Sequence, residues 1–288
     1  MTERVWTCTD ALAWTAEFLG KKGDEHPRRS AEWLLSAATG LSRVELYAQH
    51  DRPLTPEERG RYRTLVARRV EGMPLQYVTG EMPFRHLVIT VEPGVFIPRP
   101  ETEVLVDVVL EHIEDHTAPV VLDLCTGSGC VAVAIASEHP GAIVWATDRD
   151  ERAIEAARRN ALHAGASERV QVLQGDLFDP LPEALAGSAD AIVSNPPYVP
   201  SGDLAGLPTE VIGFEPFEAL DGGADGLDVF RRIAAEGSQW LSAGGTIAVE
   251  LDSGRVADAA LLLERDYDGV AVRKDMAGRD RIVFGRKG

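Results

Sequence analysis

Cysteine is scarce in this chain of 288 residues, with three in all, and none stands in a CxxC or cysteine–histidine ligand spacing. That excludes a disulfide framework, argues against structural zinc or any other metal site, and fits a reducing compartment. Long apolar runs are also missing. The strongest of them, such as Cys130 to Ala136, fall far below the roughly 18 residues of a membrane span. The opening Met1-Thr2-Glu3-Arg4 leads into no stretch of signal-peptide character, so the expectation is a soluble, cytoplasmic protein with no membrane partner. Positive charge is the third shortage: 29 Lys+Arg stand against 46 Asp+Glu, a net charge of −17. Such a balance opposes the phosphate-neutralising surface that free nucleic-acid binding requires. Residues 1–80 hold 12 basic and 11 acidic side chains, net +1, leaving 17 and 35, net −18, for residues 81–288. The acidity belongs to the larger part, where it suits long-range attraction of a basic protein partner.

What is present is enough to build two domains. The length implies two, or one with an appendage, and 44% hydrophobic residues suffice for a sizeable core. Up to about Glu71 the apolar residues recur at helical spacing: Leu12, Ala16 and Leu19, then Ala31, Leu34, Leu35 and Ala38. Thr55 is a candidate N-cap before Pro56-Glu57-Glu58. From Phe84 to Pro98 the pattern becomes extended. Leu87 to Val91 is β-branched, and Glu92-Pro93-Gly94 signals a turn before Val95-Phe96-Ile97, which predicts a β-hairpin joining two domains. After a helix from about Thr102 to His116, short apolar strands alternate with helices. The strands begin with Val120–Leu124, Ile143–Thr147, Val170–Leu173, Ala191–Val193 and Thr246–Val249, and end in a hairpin-like pair, Gly269–Val272 and Arg281–Phe284. This is an α/β pattern with a mostly parallel sheet covered on both faces, which binds ligands at the carboxyl ends of its strands.

Directly after the first of these strands, Gly127-Ser128-Gly129-Cys130-Val131-Ala132 satisfies G-x-G-x-x-[GA]. Glycine is needed where a ligand or a helix approaches the backbone more closely than a Cβ allows. Asp148 ends the next strand, 21 residues after Gly127, where a carboxylate accepts hydrogen bonds from both ribose hydroxyls of a nucleoside cofactor. NAD and S-adenosylmethionine (AdoMet) share that ribose. A second acid, Asp123, lies within the first strand, where it is costly unless it faces donors or a cationic ligand. Its field favours a sulfonium over a pyrophosphate, which tilts the choice toward AdoMet while leaving NAD open.

The most specific signal is Asn195-Pro196-Pro197-Tyr198, immediately after the strand ending at Ser194. Two prolines stiffen the backbone and remove two donors, the asparagine adds an acceptor, and the tyrosine offers a flat face. The set suits a planar NH₂ group: the Asn195 oxygen and the Pro196 carbonyl each accept a hydrogen while Tyr198 stacks over the plane. Amide and amino-aryl nitrogens are poor nucleophiles, so acceptors that tighten as positive charge develops favour the transition state, and no titratable base is needed. The bland alternative is a stiffened loop whose tyrosine packs in the core. The stretch 195–226 shows little periodicity and carries six glycines and five prolines. It is expected to be a substrate-binding loop anchored by Leu204, Leu207, Val211 and Phe214. Arg61, Arg63, Arg68 and Arg69 form the one basic concentration, expected to be a solvated helix face among Glu57, Glu58 and Glu71.

Together these motifs resemble the HemK/PrmC family of protein-(glutamine-N5) methyltransferases over nearly the whole chain. The blocks that carry the resemblance are Pro74–Tyr77, Phe96–Glu103, Leu122–Gly129, Gln174–Phe178, Ser194–Tyr198, Ala219–Gly223, Asp225–Leu227, Lys274-Asp275 and Gly278–Arg281. The Phe-x-Pro-Arg-Pro-Glu-Thr-Glu and Leu-Asp-Gly-Gly blocks are the most family-specific. The resemblance implies a Rossmann-like class I AdoMet-dependent methyltransferase fold with a seven-stranded, mostly parallel sheet, a small N-terminal helical bundle and a linking β-hairpin. The implied division is 1–75 for a release-factor-recognising helical domain, 76–100 for the linker and 101–288 for the methyltransferase domain. The implied substrate is the glutamine of the Gly-Gly-Gln motif of peptide-chain release factors in translation termination, and the implied product is S-adenosylhomocysteine. Thr126, Gly127, Ser128 and Gly129 would border the methionine part of AdoMet, Asp148 the ribose, and Asp176 with Leu177 the adenine. Phe96 would lie near the cofactor, as would Asn195, and Pro98 near the substrate entrance. Asn195, Pro196, Pro197 and Tyr198 would hold the substrate, with Asn195, Pro196 and Tyr198 catalytic. One departure is Cys125, where the family commonly has glycine; its thiol is expected to face the strand core. The runner-up is an exocyclic-amine methyltransferase acting on adenine or guanine in nucleic acid. An NAD-dependent oxidoreductase, or a nucleoside-binding module without activity, leaves the tetrapeptide without a purpose.

Overall fold

In the computed structural model, residues 5–288 are described; the Met1–Arg4 opening lies outside them. The chain separates into two compact units, 1–81 with 209–214, and 82–208 with 215–288. The stretch expected as a linker, 76–100, is therefore divided between the two.

The helical unit holds α1 (Cys8–Lys21), α2 (Pro27–Thr39), α3 (Arg43–Ala48), α4 (Pro56–Val70) and α5 (Leu75–Thr79). Its helices start where short polar side chains satisfy the first free N–H groups: Thr7, Ser42 and the expected Thr55 each form a capping box, with Asp10, Glu45 and Glu58. Leu12, Leu19, Ala31, Leu34, Leu35 and Ala38 form its core, closed by Tyr62 and Val66 from α4. At roughly 1.5–3 kcal/mol for each large aliphatic side chain, that burial is what makes these helices stable.

Arg61 and Arg63 are exposed, as expected of a solvated face, but Arg68 and Arg69 depart from that expectation. Arg61 donates to the Ala38 carbonyl, Arg68 to the Tyr77 carbonyl, and Arg69, with a nearly buried side chain, pairs with Asp24 at 2.8 Å and Glu210 at 2.6 Å. Glu210 belongs to a short helix, Thr209–Phe214, inside the long loop. That segment, expected to anchor a substrate loop through Val211 and Phe214, belongs to the helical unit instead. Of the four proposed anchors only Leu204 is buried.

The β-hairpin lies earlier than expected. It pairs β1 (Glu81–Phe84) with β2 (Leu87–Thr90) across Arg85-His86, and Val95–Ile97 forms no strand. Pro83 disguised the first strand, because proline is tolerated in such short edge pairings. Arg85 takes a left-handed φ of 53° at the turn, and its side chain is held by the Glu103 carbonyl at 2.9 Å and Asp107 at 2.7 Å.

The sheet unit follows the alternation read from the sequence: α6 (Thr102–Ile113), β3 (Val120–Leu124), α7 (Cys130–Glu138), β4 (Ile143–Asp148), α8 (Glu151–His163), β5 (Val170–Gln174) and β6 (Ala189–Ser194). After the loop and its helix α9 (Thr209–Phe214) come α10 (Asp228–Trp240), β7 (Leu241–Glu250), α11 (Val256–Leu263), β8 (Asp268–Lys274) and β9 (Asp280–Arg286). The seven strands are ordered β5-β4-β3-β6-β7-β9-β8. Pairings from β5 to β7 are parallel, and β9 joins β7 and β8 antiparallel. Successive residues of a strand point to opposite faces. Leu122 and Leu124 therefore enter the core built with Phe230, Ile233 and Val256 of α10 and α11, while Asp123 points the other way and accepts from the Ala132 N–H of α7. The chain order reverses at β3, with β4 on one side and β6 on the other, and this reversal opens a crevice at the strands' carboxyl ends.

Candidate active site

Three chain segments meet at that crevice because three neighbouring parallel strands end there: Cys125–Gly129 after β3, Asp148 closing β4, and Asn195–Tyr198 after β6. One cleft is lined by Phe96, Cys125, Gly127, Asp148, Gly175, Asp176, Leu177, Asn195 and Pro197, with Arg232 and others. A smaller adjoining one is lined by Phe96, Pro98, Thr102, Asp123, Cys125, Thr126, Ser128 and Asn195. Phe96, Cys125 and Asn195 line both. Gly129, Pro196 and Tyr198 line neither.

The two glycines of the loop do different work. A Cβ on Gly127, whose φ is 55°, would meet nothing within 4 Å, so this backbone stands open to the cleft. A Cβ on Gly129 would lie 2.9 Å from the Ala157 backbone, so this glycine is required by the approach of α8. Asp148 accepts from the Gly127 N–H at 2.9 Å and the Asp150 N–H at 3.0 Å, one bond to each oxygen. Each oxygen keeps a lone pair for a further donor. Burial raises its pKa, and those two N–H groups only partly offset the effect. Asp176 pairs with Arg232 at 2.9 Å, and the buried Leu177, at a left-handed φ of 48°, offers its carbonyl to Thr147. A nucleoside-bearing cofactor fits this cleft: an open glycine backbone at Gly127, the Asp148 carboxylate with acceptor capacity left on each oxygen, and Asp123 beside the smaller cleft, with Arg149 and Arg232 on the larger cleft's lining.

Asp123 is buried, accepts from Thr126 Oγ1 at 2.6 Å, and is pushed up to about 7 by that burial. The donors expected for it are thus internal ones. Cys125 departs from its expectation. Its φ of 58° is the left-handed region that favours glycine, and the turn directs it to both clefts instead of only into the strand core. Burial raises its thiol pKa, so it stays a neutral, unreactive wall.

Asn195 donates its Nδ2 to Thr102 Oγ1 at 3.2 Å, which leaves Oδ1 as an acceptor. The Leu-Asp-Gly-Gly block explains itself here as a buttress for the segment that follows Asn195. Val199 N–H donates to the Leu220 carbonyl and Gly222 N–H to that of Val199. A Cβ on Gly222 or Gly226 would stand 2.7 Å from Tyr198 Cα or 2.3 Å from its carbonyl oxygen. Tyr198 is partly buried against the sheet core, with its hydroxyl pKa raised by burial. Its packing follows the bland alternative more closely than the stacking one.

Thr102 was missed as a site residue: it opens α6, lines the smaller cleft and accepts from Asn195. Nearby Glu250 closes β7, is 1% exposed, and is pushed up to about 7 chiefly by burial. The signal available for Glu250 was the one that picked out Asp148, an acid ending an apolar strand.

Comparison with known proteins gives one family for each part of the chain. The PrmC N-terminal domain family matches residues 10–80, and the methyltransferase small domain family matches residues 86–207. A protein of Geobacter sulfurreducens named release factor glutamine methyltransferase is 44% identical over 291 residues, covering 100% of both chains. One of the same name from Mycolicibacterium smegmatis is 42% identical over 270 residues, covering 92% of each. Among solved structures, the hMettl16 catalytic domain in complex with an RNA hairpin superposes with a TM-score of 0.56 at 16% identity, covering 82% of this chain and 84% of that one. The 16S rRNA N2 G1207 methyltransferase of T. thermophilus, in complex with AdoMet and guanosine, does so at 0.52 and 21%, covering 72% and 50%. At such identities the likeness is one of fold.

Proposed function

The chain belongs to the release factor glutamine methyltransferase family, and from that premise we propose that it transfers the methyl group of AdoMet to the side-chain amide nitrogen (N5) of a glutamine in peptide-chain release factors. We assign the substrate as the glutamine of the Gly-Gly-Gln loop, the reaction to the cytoplasm, and release-factor recognition to the helical unit. What carries this proposal is Asn195, whose amide nitrogen is engaged by Thr102 so that its oxygen remains to accept from an incoming NH₂ group.

AdoMet, when bound, supplies the methyl on a sulfonium sulfur, which keeps the bonding pair and leaves as neutral S-adenosylhomocysteine. Asp148 accepts from the ribose hydroxyls, Gly127 gives the methionine part room beside Thr126 and Ser128, and Asp176 and Leu177 border the adenine. Asn195 Oδ1 and the Pro196 carbonyl each accept one hydrogen of the glutamine amide, fixing its plane and aiming the nitrogen lone pair at the methyl group. As the C–N bond forms, nitrogen becomes positive and both acceptors tighten, so stabilisation is greatest in the transition state. The extra proton departs to water afterwards. Phe96, Pro98 and Pro197 wall the site and hold water away from the approaching amide, with Tyr198 packed behind them against the sheet core. An exocyclic-amine substrate would suit the same acceptors and shares the fold, but the named relatives do not point to it and the net −18 of residues 81–288 opposes a polyanion.

Calorimetry of AdoMet binding paired with radiolabelled methyl transfer to purified release factor tests these assignments. Asn195→Ala should lower turnover by about 10²–10³-fold, the cost of removing one preorganised group, with AdoMet binding largely kept. Asp148→Ala should weaken AdoMet binding first. Normal turnover in Asn195→Ala removes the mechanism.

A further inference from the structure

The Phe-x-Pro-Arg-Pro-Glu-Thr-Glu block holds one cation, Arg99, and neither cofactor binding nor methyl transfer as described above uses it. Pro98 and Pro100 flank it and confine the backbone on both sides. Its guanidinium lies over the Phe96 ring, 4.6 Å from the centroid, and donates through Nη2 to Glu215 Oε1 at 2.6 Å. Glu215 comes from the long loop just after α9, and its side chain is 2% exposed, so a charge there is out of water and needs a partner. Arg99 is its one ion pair among the described residues, and its second oxygen, Oε2, has no hydrogen-bond partner among them. Burial raises the Glu215 pKa, and Arg99 is the group that works against it most.

Arg99 lines neither cleft, whereas the half-buried Phe96 lines both. A phenyl ring at such a junction has room to turn on the cleft side unless something holds its plane. A flat guanidinium can stack on a ring while its edge donates to a carboxylate, which an ammonium cannot do in one plane. We propose that Arg99, anchored by Glu215, is a positioning residue for the cofactor: it fixes the Phe96 ring as the shared wall of the two clefts. The cofactor then meets a wall already in place and does not have to order it on binding. This rests on the reading of the larger cleft as the AdoMet site given above.

Calorimetry of AdoMet binding to the full chain, with methyl transfer to purified release factor and chemical denaturation alongside, tests the two links in turn. Arg99→Gln should weaken AdoMet binding about tenfold, the scale of a desolvated cation–π contact. Once Phe96→Leu is present the same change should matter less than about twofold, because the arginine then has no ring to hold. Glu215→Gln should weaken binding in the same direction and add nothing to Arg99→Gln. Where Arg99→Gln alone fails to fold because Glu215 is stranded, its combination with Glu215→Gln removes the buried charge and carries the same comparison with Phe96→Leu. Unchanged AdoMet affinity in Arg99→Gln overturns the proposal. So do effects of Arg99→Gln and Phe96→Leu that simply multiply, since a tie serving stability alone lowers the denaturation midpoint without regard to the ring. If the wild type binds AdoMet and methylates the release factor while either result appears, only the positioning role has failed; a wild type that binds no AdoMet removes the reading of the cleft and the proposal with it.

Discussion

Buried carboxylates of the helical unit and those around the crevice of the sheet unit are held in opposite ways, whereas Asp275 of the sheet unit, paired with Arg279 and Arg281, is held like the first set. In the helical unit Asp24, Glu32 and Glu58 all lie below the ordinary carboxylate range. For Asp24, burial pushes upward and is outweighed by hydrogen bonds from Arg69, Ser30 and the His26 N–H. For Glu32 the same burial is outweighed by Tyr47, Arg43 and Arg28, and for Glu58 the Arg52 guanidinium dominates. In the sheet unit Asp123, Asp148, Glu215 and Glu250 all lie above that range, chiefly because of burial. Neither Asp123 nor Asp148 has an ion pair among the described residues, and both line the clefts. The first set is electrostatically closed and serves stability. In the second set Glu215 is paired with Arg99 at 2.6 Å, while Asp123 and Asp148 retain capacity for donors or positive charge from outside the chain, which is where strongly shifted groups mark function.

The largest expected effect breaks the closed set. Arg69→Ala strands Asp24, whose side chain is 5% exposed, and should cost roughly 3–5 kcal/mol, read by chemical denaturation, with AdoMet binding unaffected. An unchanged midpoint would erase the contrast between the units. A smaller effect sharpens it. Asp123 has a folded pKa of about 7 against an ordinary 3.8, so the native state holds its proton more tightly than the unfolded chain does. Stability should therefore fall as pH rises from about 4 to 7, by about 1 kcal/mol per pH unit for such a group. Glu250 acts with the same sign. Denaturation midpoints across that window should flatten in Asp123→Asn, and an unaltered slope would show that the open set is not what burial made it. The smallest effect concerns the cleft wall. Cys125→Gly relieves about 1–2 kcal/mol of left-handed strain and returns part of it as unfolded-chain freedom. The net gain should be under about 1 kcal/mol, with AdoMet binding changing only slightly; a marked loss of stability would mean the thiol's packing dominates its backbone geometry.

Periodicity made most of the fold legible. The helical spacing of Leu12 through Ala38 and the short apolar strands from Val120 onward are local patterns with one dominant solution, and the elements stand near where they were read. The hairpin was misplaced because Pro83 hid an edge strand and Glu92-Pro93-Gly94 advertised a turn more loudly than Arg85-His86, whose left-handed arginine is held by distant Glu103 and Asp107. In the site, Gly127, Asp148 and Asn195 carry local motif signals and the structure brings them to one crevice. Thr102 carries none that separates it from an ordinary helix start, and Glu250 only the weak one of an acid ending an apolar strand.

The sequence by itself determined the order of elements, the mostly parallel sheet and the kinds of groups at its carboxyl end, because each depends on short-range pattern and on where parallel strands must end. Only the tertiary structure decided that Gly129 serves α8 rather than a ligand, that Cys125 turns to the clefts, that Arg68 and Arg69 of α4 are internal ties, and that Asn195 is oriented through Thr102. Each of these depends on what residues far away in the chain present at contact distance, and on burial deciding which charges are held and which are left waiting.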